Sequence, residues 1–349
     1  MGKETFRLKK AGWLVLCLAG LCLFSVLLLQ AGKIRAEAET MTTEAATTES
    51  KEQTLDASTT QQAISPSITF SKKKKSLKAG KCFRFQVKTV GITDKVTFKV
   101  SDTKLAQINS SGKLTALRAG KVKVIAIAGE YSASVSVTIK PKKIVALDPG
   151  HSAKMTGGTE PIGPGSSVKK AKDATGTRGV SSGQMEYELT MKLARKMKPL
   201  LEDKGYQVVL TRSNNKKAIS CVERAKVANK AGADIFIRIH ADGINNASVS
   251  GASALYPSSR NPYVGKLSSK SKKLSSCVLN AMCKKTGAKN RGLVARDDLS
   301  GSNWAKMPVT LIEVGFMTNP EEDKKLAQNS YQDKLAKGMV QGIEAYFGY

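Results

Sequence analysis

The chain has 349 residues, enough for two domains with additional terminal segments, and 41% of them are hydrophobic. Lysine and arginine number 57 against 28 acidic residues, which gives a formal net charge of +29 at pH 7. A charge this positive indicates an anionic partner: a nucleic acid, an anionic membrane or another anionic polymer.

The N-terminus has the pattern of an export signal. Four basic residues precede residues 11–29, a stretch without any charge; they are Lys3, Arg7, Lys9 and Lys10. Ala36 and Ala38 then form an A-x-A type cleavage site. Residues 1–36 are therefore predicted to be a cleaved signal peptide. A retained membrane anchor is the alternative, because the apolar run is just long enough to span a bilayer.

Export narrows the choice of anionic partner. Either form of the N-terminal segment makes the remaining chain a secreted or cell-wall protein, so nucleic acid is excluded. Anionic wall polymers become the natural counter-charge, and membrane contact is expected only through the N-terminal segment if it is uncleaved. Residues 37–67 are rich in Thr, Glu, Ala, Ser and Gln, and are predicted to be a disordered linker.

Residues 68–142 consist of short runs in which polar and apolar residues alternate. The clearest runs are residues 83–87, 96–100, 122–126 and 131–139. Turn residues such as Gly112 and Gly120 separate them. Several short strands at this spacing predict a small all-β sandwich.

The same segment resembles the bacterial immunoglobulin-like domain of group 2. The resemblance is carried by residues 96–102 (VTFKVSD), 105–108 (LAQI), 112–116 (GKLTA) and 119–120 (AG). It implies a spacer or adhesive module, and the segment contains no cluster of chemically reactive residues. Its basic tract, residues 72–75, has two open interpretations: a solvated edge that discourages strand pairing, or a contact with anionic wall polymer.

From residue 143 onwards, strand and helix patterns alternate. Strands are predicted at residues 144–147, 206–211, 234–239, 252–256, 292–296 and 309–314. Helices are predicted at residues 185–204, 218–231, 265–286, 321–327 and 331–346. This alternation is typical of an α/β fold, and predicts for residues 143–349 a mostly parallel sheet flanked by helices.

Polar residues stand at the ends of three predicted strands. His151 and His240 are the two histidines of the chain, and each follows an apolar strand, while Glu313 ends a third. A further carboxylate, Glu186, opens the first long helix. Such strand ends meet at the edge of a sheet where ligands bind. Two histidines and a carboxylate match the ligands of a catalytic zinc site, which leaves one position for water.

This domain resembles the zinc-dependent N-acetylmuramoyl-L-alanine amidases of the amidase-3 family over nearly its whole length. Six blocks in the same order carry the resemblance: residues 146–151 (ALDPGH), 186–190 (EYELT), 205–212 (GYQVVLTR), 224–229 (RAKVAN), 233–241 (ADIFIRIHA) and 312–319 (IEVGFMTN). The resemblance implies that His151, Glu186 and His240 bind Zn(2+) and that Glu313 is the catalytic glutamate.

Three positions depart from the family pattern. Thr190 and Asp242 stand where the family often has Asn, and Arg238 stands where a small residue is common. Alternation along the strand places Arg238 on the same face as His240, where it pairs with a substrate carboxylate or with a neighbouring acid. Arg238 and Asp242 are accordingly the candidate substrate-binding residues.

Three further features lead to predictions. Glu188 is the alternative to Glu186 as the carboxylate of the site, but residues two apart on a helix point to different sides, so only one belongs to the site.

The loop of residues 152–185 is rich in Gly, Ser and Lys, and we expect it to form one wall of the substrate groove. Four scattered cysteines are predicted to be buried thiols; they are Cys82, Cys221, Cys277 and Cys283.

Together these features predict an exported peptidoglycan hydrolase. The family resemblance implies that zinc-activated water cleaves the amide bond between N-acetylmuramic acid and L-alanine. Two alternatives from other classes stay open: a zinc peptidase acting within the stem peptide, and a non-catalytic protein that binds the cell wall.

Overall fold

The computed structural model describes residues 65–349. The predicted signal or anchor at residues 1–36 lies outside the described residues, as does the predicted linker up to residue 64. Between residues 65 and 349, no helix combines the length and the apolar character that crossing a membrane requires.

The N-terminal part of the described chain is the predicted all-β sandwich. Its strands are β1 (Ser67–Phe70), β2 (Lys74–Lys78), β3 (Cys82–Arg84), β4 (Val87–Val90), β5 (Thr97–Val100), β6 (Ala106–Ile108), β7 (Lys113–Ala116), β8 (Gly120–Ala128) and β9 (Tyr131–Lys140). One sheet has the order β2-β9-β8-β5, another the order β3-β7-β6, and β1 pairs with β4. Alternate residues such as Leu114, Val124 and Val137 fill the core between the sheets, as the period of two requires.

One predicted strand, residues 83–87, is two strands in the structure. Phe83 pairs with Leu114 across β3 and β7, whereas Val87 pairs with Phe70 across β4 and β1. Between them, the Phe85 side chain is buried in the core. The chain therefore changes its pairing partner where Phe85 turns inward.

The second part of the chain is an α/β domain. Its strands are β10 (Ile144–Pro149), β11 (Thr159–Pro161), β12 (Lys169–Ala171), β13 (Gln207–Leu210), β14 (Ile235–Asp242), β15 (Ala252–Tyr256), β16 (Asn290–Ala295) and β17 (Val309–Phe316). Its helices are α1 (Glu186–Asp203), α2 (Cys221–Lys230), α3 (Ser268–Thr286), α4 (Ser300–Asn303), α5 (Pro320–Ala327) and α6 (Asn329–Phe347). A 3-10 turn at Gly265–Leu267 precedes α3. The main sheet has six strands in the order β13-β10-β14-β17-β15-β16.

This sheet is mixed, which corrects the prediction of a mostly parallel sheet. The pairings of β10, β13, β14 and β17 and the β15–β16 pairing are parallel, but β15 runs antiparallel to β17. The connection between β14 and β15, residues 243–251, is too short for a crossover helix, so the chain turns back. The carboxyl ends of β10, β14 and β17 still lie together at one edge of the sheet.

Helices cover both faces of the central strands. One face packs against α1, α3 and α6 through residues such as Leu193, Leu279 and Ile343, which are buried. The other face packs against Ala225 and Ala228 of α2. Each large apolar side chain buried in this way stabilises the fold by about 1.5–3 kcal/mol. Because strands β10, β14 and β17 are held on both sides, the residues at their ends are fixed in position.

The sandwich contacts the α/β domain at the amino end of β10 and β13. The Lys142 backbone N–H donates to the carbonyl oxygen of Gly205 at 2.8 Å, and Arg118 forms an ion pair with Asp203. A Cβ atom at position 205 would lie 2.7 Å from the Ala79 Cβ, and φ there is +85°. Both the space and the backbone conformation therefore require glycine at this contact.

Candidate active site

His151 is presented by the turn that ends β10. Its φ of +56° is a left-handed conformation, which no other non-glycine residue of the described chain adopts. Such a conformation is costly and persists only where surrounding contacts enforce it. The Nδ1 atom of the ring lies 2.7 Å from the carbonyl oxygen of Ala174. Donation from Nδ1 to this oxygen leaves Nε2 free to act as a ligand.

Two buried arginines and a threonine hold this turn by its carbonyl oxygens. Arg224 donates from Nη2 to the carbonyl oxygen of His151 at 2.9 Å. Arg212 and Thr190 both donate to the carbonyl oxygen of Gly150, at 3.0 and 2.9 Å. Thr190, one of the three departures from the family pattern, thus serves to fix the turn that carries His151.

Asp148 is the counter-charge for this cluster. Its fully buried carboxylate accepts from Arg224 Nη1 at 2.8 Å, from Arg238 Nε at 3.0 Å and from the Thr211 hydroxyl at 2.6 Å. Burial by itself acts to raise the pKa of Asp148, but the two guanidinium groups and the Thr211 hydroxyl hold that pKa well below its ordinary value. The ionised carboxylate keeps both arginines in place beneath the site.

His240 and Glu186 meet His151 at the carboxyl edge of the sheet. His240 Nδ1 lies 3.1 Å from His151 Nε2 and 3.1 Å from Glu186 Oε1, and the third side of this triangle measures 3.2 Å. Burial lowers the pKa of His240 to about 4, so its ring is neutral at pH 7. Burial acts to raise the pKa of Glu186, but the two histidine rings that face its carboxylate hold that pKa well below its ordinary value.

The Glu186 carboxylate is oriented by the backbone. The N–H groups of Ala241 and Thr177 donate to its two oxygens, each at 3.0 Å. Gly176 lies so close that a Cβ atom there would be 2.6 Å from Oε2. Glu188, its rival in the sequence, accepts instead from the Met185 N–H and caps α1. The structure therefore brings Glu186, and not Glu188, to the histidines.

The three converging side chains have the composition and spacing of a metal site. Among residues 65–349, His151, Glu186 and His240 are the group whose potential ligand atoms lie within 4.8 Å of one another. Tetrahedral zinc with bonds of about 2.0–2.1 Å places its ligand atoms roughly 3.3 Å apart, close to the triangle observed. Two imidazole nitrogens and a carboxylate oxygen face one another here. A cation between them would accept the lone pairs of all three atoms, so the donor set fits Zn(2+).

Glu313 lies beside this group on β17, where its backbone is paired with that of His240. Its Oε2 atom is buried and has no hydrogen-bond partner within the described part of the chain. Burial raises the pKa of Glu313 well above its ordinary value, and the negative charges of Glu186 and Asp242 raise it further. A carboxyl group with a raised pKa can both accept and return a proton near neutral pH.

The strands extend further than the sequence predicted. His240 was expected to follow β14 and Glu313 to stand near the end of β17, but the structure continues both strands beyond these residues, to Asp242 and Phe316. The direct pairing of the two residues explains the difference, because the backbone hydrogen bonds of the ladder continue through them. A register shift follows between His240 and Asp242.

Arg238 and Asp242, the candidate substrate-binding residues, have different surroundings. Arg238 lines the floor of the cleft, but its Nε donates to Asp148 and its Nη2 lies 3.6 Å from Cys221 Sγ. Asp242 accepts from the N–H of Gly243 at 2.8 Å and so turns towards its own loop. Arg238 was expected to pair with a substrate carboxylate or with a neighbouring acid, and in the structure it pairs with the neighbouring acid Asp148.

His151, His240, Glu313 and Arg238 line a cleft of about 320 Å³. Two segments contribute to its lining: Lys170, Ala171, Asp173 and Ala174 from the long segment after His151, and Arg296, Asp298, Leu299 and Ser300. The long segment carries the hairpin β11–β12, which Glu160 attaches to the domain by accepting from the Val222 N–H and the Ser300 hydroxyl. Lys170 and Asp298 form an ion pair of 2.9 Å where the two sides meet. The segment expected to form a wall of the groove therefore lines the cleft.

The sequence did not reveal the arginines beneath the site, and the prediction of four buried cysteines holds fully for one of them. Arg212 and Arg224 stood in two of the family blocks, but nothing in the local pattern linked them to the His151 turn. The four described cysteines are free; Cys283 is buried as predicted, whereas Cys221 and Cys277 are only half-buried. Cys82 is exposed, so the prediction of a buried thiol is wrong there; β3 is short, and its side chains alternate in exposure.

Sequence comparison relates both domains to known families. Residues 145–345 match the family described as N-acetylmuramoyl-L-alanine amidase, and residues 64–139 match the bacterial Ig-like domain (group 2). The N-acetylmuramoyl-L-alanine amidase LytC of Bacillus subtilis is 29% identical over 168 residues, which cover 48% of this chain and 32% of LytC. The N-acetylmuramoyl-L-alanine amidase AmiA of Escherichia coli is 28% identical over 246 residues, which cover 59% of this chain and 76% of AmiA.

A solved structure has the same fold as the α/β domain. The N-acetylmuramyl-L-alanine amidase Ami1 from Mycobacterium smegmatis matches with a TM-score of 0.54 and 27% sequence identity. The match covers 60% of this chain and 98% of Ami1. The match thus spans nearly the whole of that Ami1 chain, and the β domain of residues 65–142 precedes the α/β domain that it matches.

Proposed function

The chain belongs to the N-acetylmuramoyl-L-alanine amidase family, and from this we propose that it cleaves the amide bond between N-acetylmuramic acid and L-alanine in peptidoglycan. One observation supports the proposal most directly. His151, Glu186 and His240 converge on one point, and beside them the buried Oε2 atom of Glu313 has no hydrogen-bond partner among residues 65–349. Amide hydrolysis needs an activated carbonyl and a group that takes up and returns a proton, and these residues can provide both.

We propose that His151, Glu186 and His240 hold Zn(2+). A zinc ion held there polarises the carbonyl of the scissile amide and lowers the pKa of a water molecule. The protein's contribution is to keep the donor atoms rigid and unprotonated. His240 is neutral because it is buried, Glu186 is charged and held by two backbone N–H groups, and His151 is fixed by the arginine-bound turn.

Glu313 is the proposed proton carrier. It accepts a proton from the attacking water, and then gives this proton to the amide nitrogen as the bond to L-alanine breaks. A carboxyl group of ordinary pKa is a poor acid for the second step, whereas burial and the charges of Glu186 and Asp242 raise the pKa of Glu313. The products are the glycan and a stem peptide with a free L-alanine amino group.

Arg238 and Asp242 have supporting roles in this proposal. Arg238 already binds Asp148, so it positions the floor of the cleft. Asp242 acts through its charge, which raises the pKa of Glu313. Both are therefore proposed as positioning residues, and binding of the stem-peptide carboxylates is left to groups nearer the mouth of the cleft.

Peptidoglycan is the substrate of this family, and the cell wall is accordingly the place of action. We propose further that residues 1–36 direct export, as a cleaved signal or as an anchor. On that basis the membrane is contacted only through this segment, and nucleic acid is not a partner.

The test is an assay on purified peptidoglycan with identification of the bond that is cut. Removal of metal with a chelator should abolish cleavage, and Zn(2+) should restore it. Glu313→Gln should keep stoichiometric zinc but lose activity by at least about a hundredfold, the usual scale for a general acid–base residue. Glu321→Gln, at an exposed position of α5, is the matched control and should retain activity.

The products distinguish the alternatives. New amino termini of L-alanine on intact stem peptides support the amidase. Cuts within the stem peptide would indicate a zinc peptidase, and binding to the wall without any product would indicate a non-catalytic protein. Full activity of Glu313→Gln would refute the role given to Glu313.

A further inference from the structure

The outer face of the sheet β2-β9-β8-β5 carries lysines and hydroxyl groups. We call this surface the lysine face; it consists of Lys74, Ser76 and Lys78 on β2, Ser132, Ser134, Ser136, Thr138 and Lys140 on β9, Lys121 and Lys123 on β8, and Thr97 and Lys99 on β5. Every one of these residues is exposed. Their strand neighbours, such as Val122 and Val137, point into the core. Strand alternation therefore sorts the polar residues onto one side of the sheet.

The register of the strands brings these side chains into rows. Lys78 pairs with Lys140, while Lys74 and Lys123 flank Ser136. Neighbouring strands lie about 4.8 Å apart, and residues two apart on a strand lie about 7 Å apart. The ammonium groups are thus close enough together for one extended chain to contact several of them.

The positive charge of this face is not balanced by carboxylates. Residues 65–142 contain 17 basic residues and 3 acidic ones, and all 3 acidic residues lie between strands; they are Asp94, Asp102 and Glu130. Within residues 65–349, none of the six lysines on the face forms an ion pair, since the nearby Glu202 and Asp203 of α1 pair with Lys198 and Arg118. Like charges opposite one another, such as Lys78 and Lys140, destabilise a sheet. A bound polyanion would remove this repulsion.

We propose that the lysine face binds a phosphodiester-linked anionic polymer of the cell wall. A phosphodiester polymer carries a permanent negative charge in every repeat, which matches closely spaced lysines. The face has lysines and no arginine, and lysine acts on phosphate as a point charge that does not require one fixed geometry. The serine and threonine hydroxyls between the lysines donate to phosphate oxygens. The face is exposed along its strands, so an extended chain can lie on it.

This inference uses the wall location of the proposed function but not its chemistry. Binding is measured with the full exported chain carrying Glu313→Gln, so that wall material is not degraded. Loss of catalysis and loss of binding are therefore observed separately. The first probe is immobilised poly(glycerol phosphate), and the second is purified wall before and after its phosphodiester polymers are removed with hydrofluoric acid.

The test compares two triple variants with equal loss of charge. Lys121→Thr, Lys123→Thr and Lys140→Thr remove lysines from the face and keep residues that favour strands. Lys270→Gln, Lys284→Gln and Lys285→Gln, exposed positions of α3, form the control. We expect the face variant to raise the dissociation constant for poly(glycerol phosphate) by about tenfold or more and to weaken its salt dependence. The control should bind as the parent does, and melting temperatures should confirm that both variants fold.

Four results would overturn the proposal. The first is equal weakening in both triple variants, which would show a general charge effect. The second is unchanged binding to wall stripped of phosphodiester polymer. The third is equally tight binding of the face to hyaluronan, a carboxylate polymer. The fourth is binding of the face to vesicles of anionic phospholipid without binding to poly(glycerol phosphate), which would identify a membrane surface as the partner.

Discussion

Arg224 joins the backbone of His151 to the buried charge of Asp148. One nitrogen of its guanidinium group donates to the His151 carbonyl oxygen at 2.9 Å, and another donates to the Asp148 carboxylate at 2.8 Å. A residue on α2 thus enforces the left-handed backbone of a proposed metal ligand at the end of β10. The position of His151 therefore depends on Arg224 and Asp148, and neither of these two residues is a proposed metal ligand.

Substitution of Arg224 should weaken zinc binding. Arg224→Met keeps most of the side-chain volume but removes the donor to the His151 carbonyl oxygen. The turn is then less constrained, and the His151 ring is no longer held in the orientation that binds the metal. Loss of such outer contacts typically lowers metal affinity about 10- to 100-fold. Titration of the metal-free protein with Zn(2+) against a chromogenic chelator measures this. Lys230→Met, exposed on the same helix, is the control, and equal affinity of all three proteins would contradict the prediction.

Substitution of Asp148 should destabilise the fold. Asp148→Asn leaves Arg224 and Arg238 buried without their counter-charge, a loss of about 3–5 kcal/mol in the free energy of unfolding. Urea denaturation of the two proteins measures the difference. A loss below about 1 kcal/mol would show that the arginines find other partners.

The same carboxylate predicts how stability changes with pH. The pKa of Asp148 is lower in the folded protein than its unfolded value of about 3.9, so the unfolded chain binds the proton more readily. Its contribution is therefore fully present above about pH 4 and is lost as pH falls towards the folded pKa. We expect the difference in stability between the parent and Asp148→Asn to shrink below about pH 4. A constant difference from pH 7 to pH 3 would argue against this origin.

Release of the hairpin β11–β12 should impair substrate binding more than folding. Glu160→Ala removes the acceptor for the Val222 N–H and the Ser300 hydroxyl, so the wall that contains residues 170–174 becomes mobile. We expect KM on soluble wall fragments to rise severalfold, with a smaller change in kcat and a stoichiometric zinc content. Deletion of residues 156–172 should have a larger effect in the same direction. Unchanged kinetics in both variants would exclude the wall role.

The crossing of α3 and α6 should not tolerate a side chain at Gly342. A Cβ atom there would lie 2.4 Å from Val278 Cα and 2.5 Å from the carbonyl oxygen of Cys277, so the helices would have to separate. Gly342→Leu should lower the free energy of unfolding by about 3 kcal/mol or more, at the upper end of overpacking effects. Ala345→Leu, exposed on the same helix, should change it by less than about 0.5 kcal/mol. Equal melting temperatures of the two variants would contradict the close crossing.

The thiols should differ in their reaction with iodoacetamide. Burial raises the pKa of Cys283 to about 11, so its thiolate is scarce at pH 8 and the side chain is also inaccessible. Cys82 is exposed and should be labelled quickly. Mass spectrometry of tryptic peptides after short labelling distinguishes the two. Fast labelling of Cys283 in the folded protein would show that its region opens.

The sequence supported correct predictions where the pattern was local. Apolar runs of strand length ended near His151, His240 and Glu313, and the structure brings these residues to one edge of the sheet. The family resemblance drawn from six blocks is confirmed by the match over residues 145–345. The all-β sandwich is confirmed in the same way by the match over residues 64–139.

What the sequence did not reveal depends on contacts between distant residues. Arg224 reaches His151 across 73 positions, and Arg212 reaches Gly150 across 62. Arginine side chains ordinarily lie at the solvated surface, so neither residue was recognised as buried. The direction of β15 depends on the length of the connection after β14. The predicted strand ended at residue 239 whereas β14 ends at Asp242, so the connection was expected to be longer than it is.

The contact between Lys142 and Gly205 helps to set the distance between the sandwich and the proposed active site. The sandwich abuts the amino end of β10, and His151 stands just past its carboxyl end, so the six residues of this strand separate the two by about 20 Å. A wall polymer held by the sandwich would therefore keep the enzyme within a short, fixed radius of its anchorage. Cleavage would then be confined to glycan strands in that neighbourhood, and the spacing of cuts in the wall would follow the distribution of the polymer.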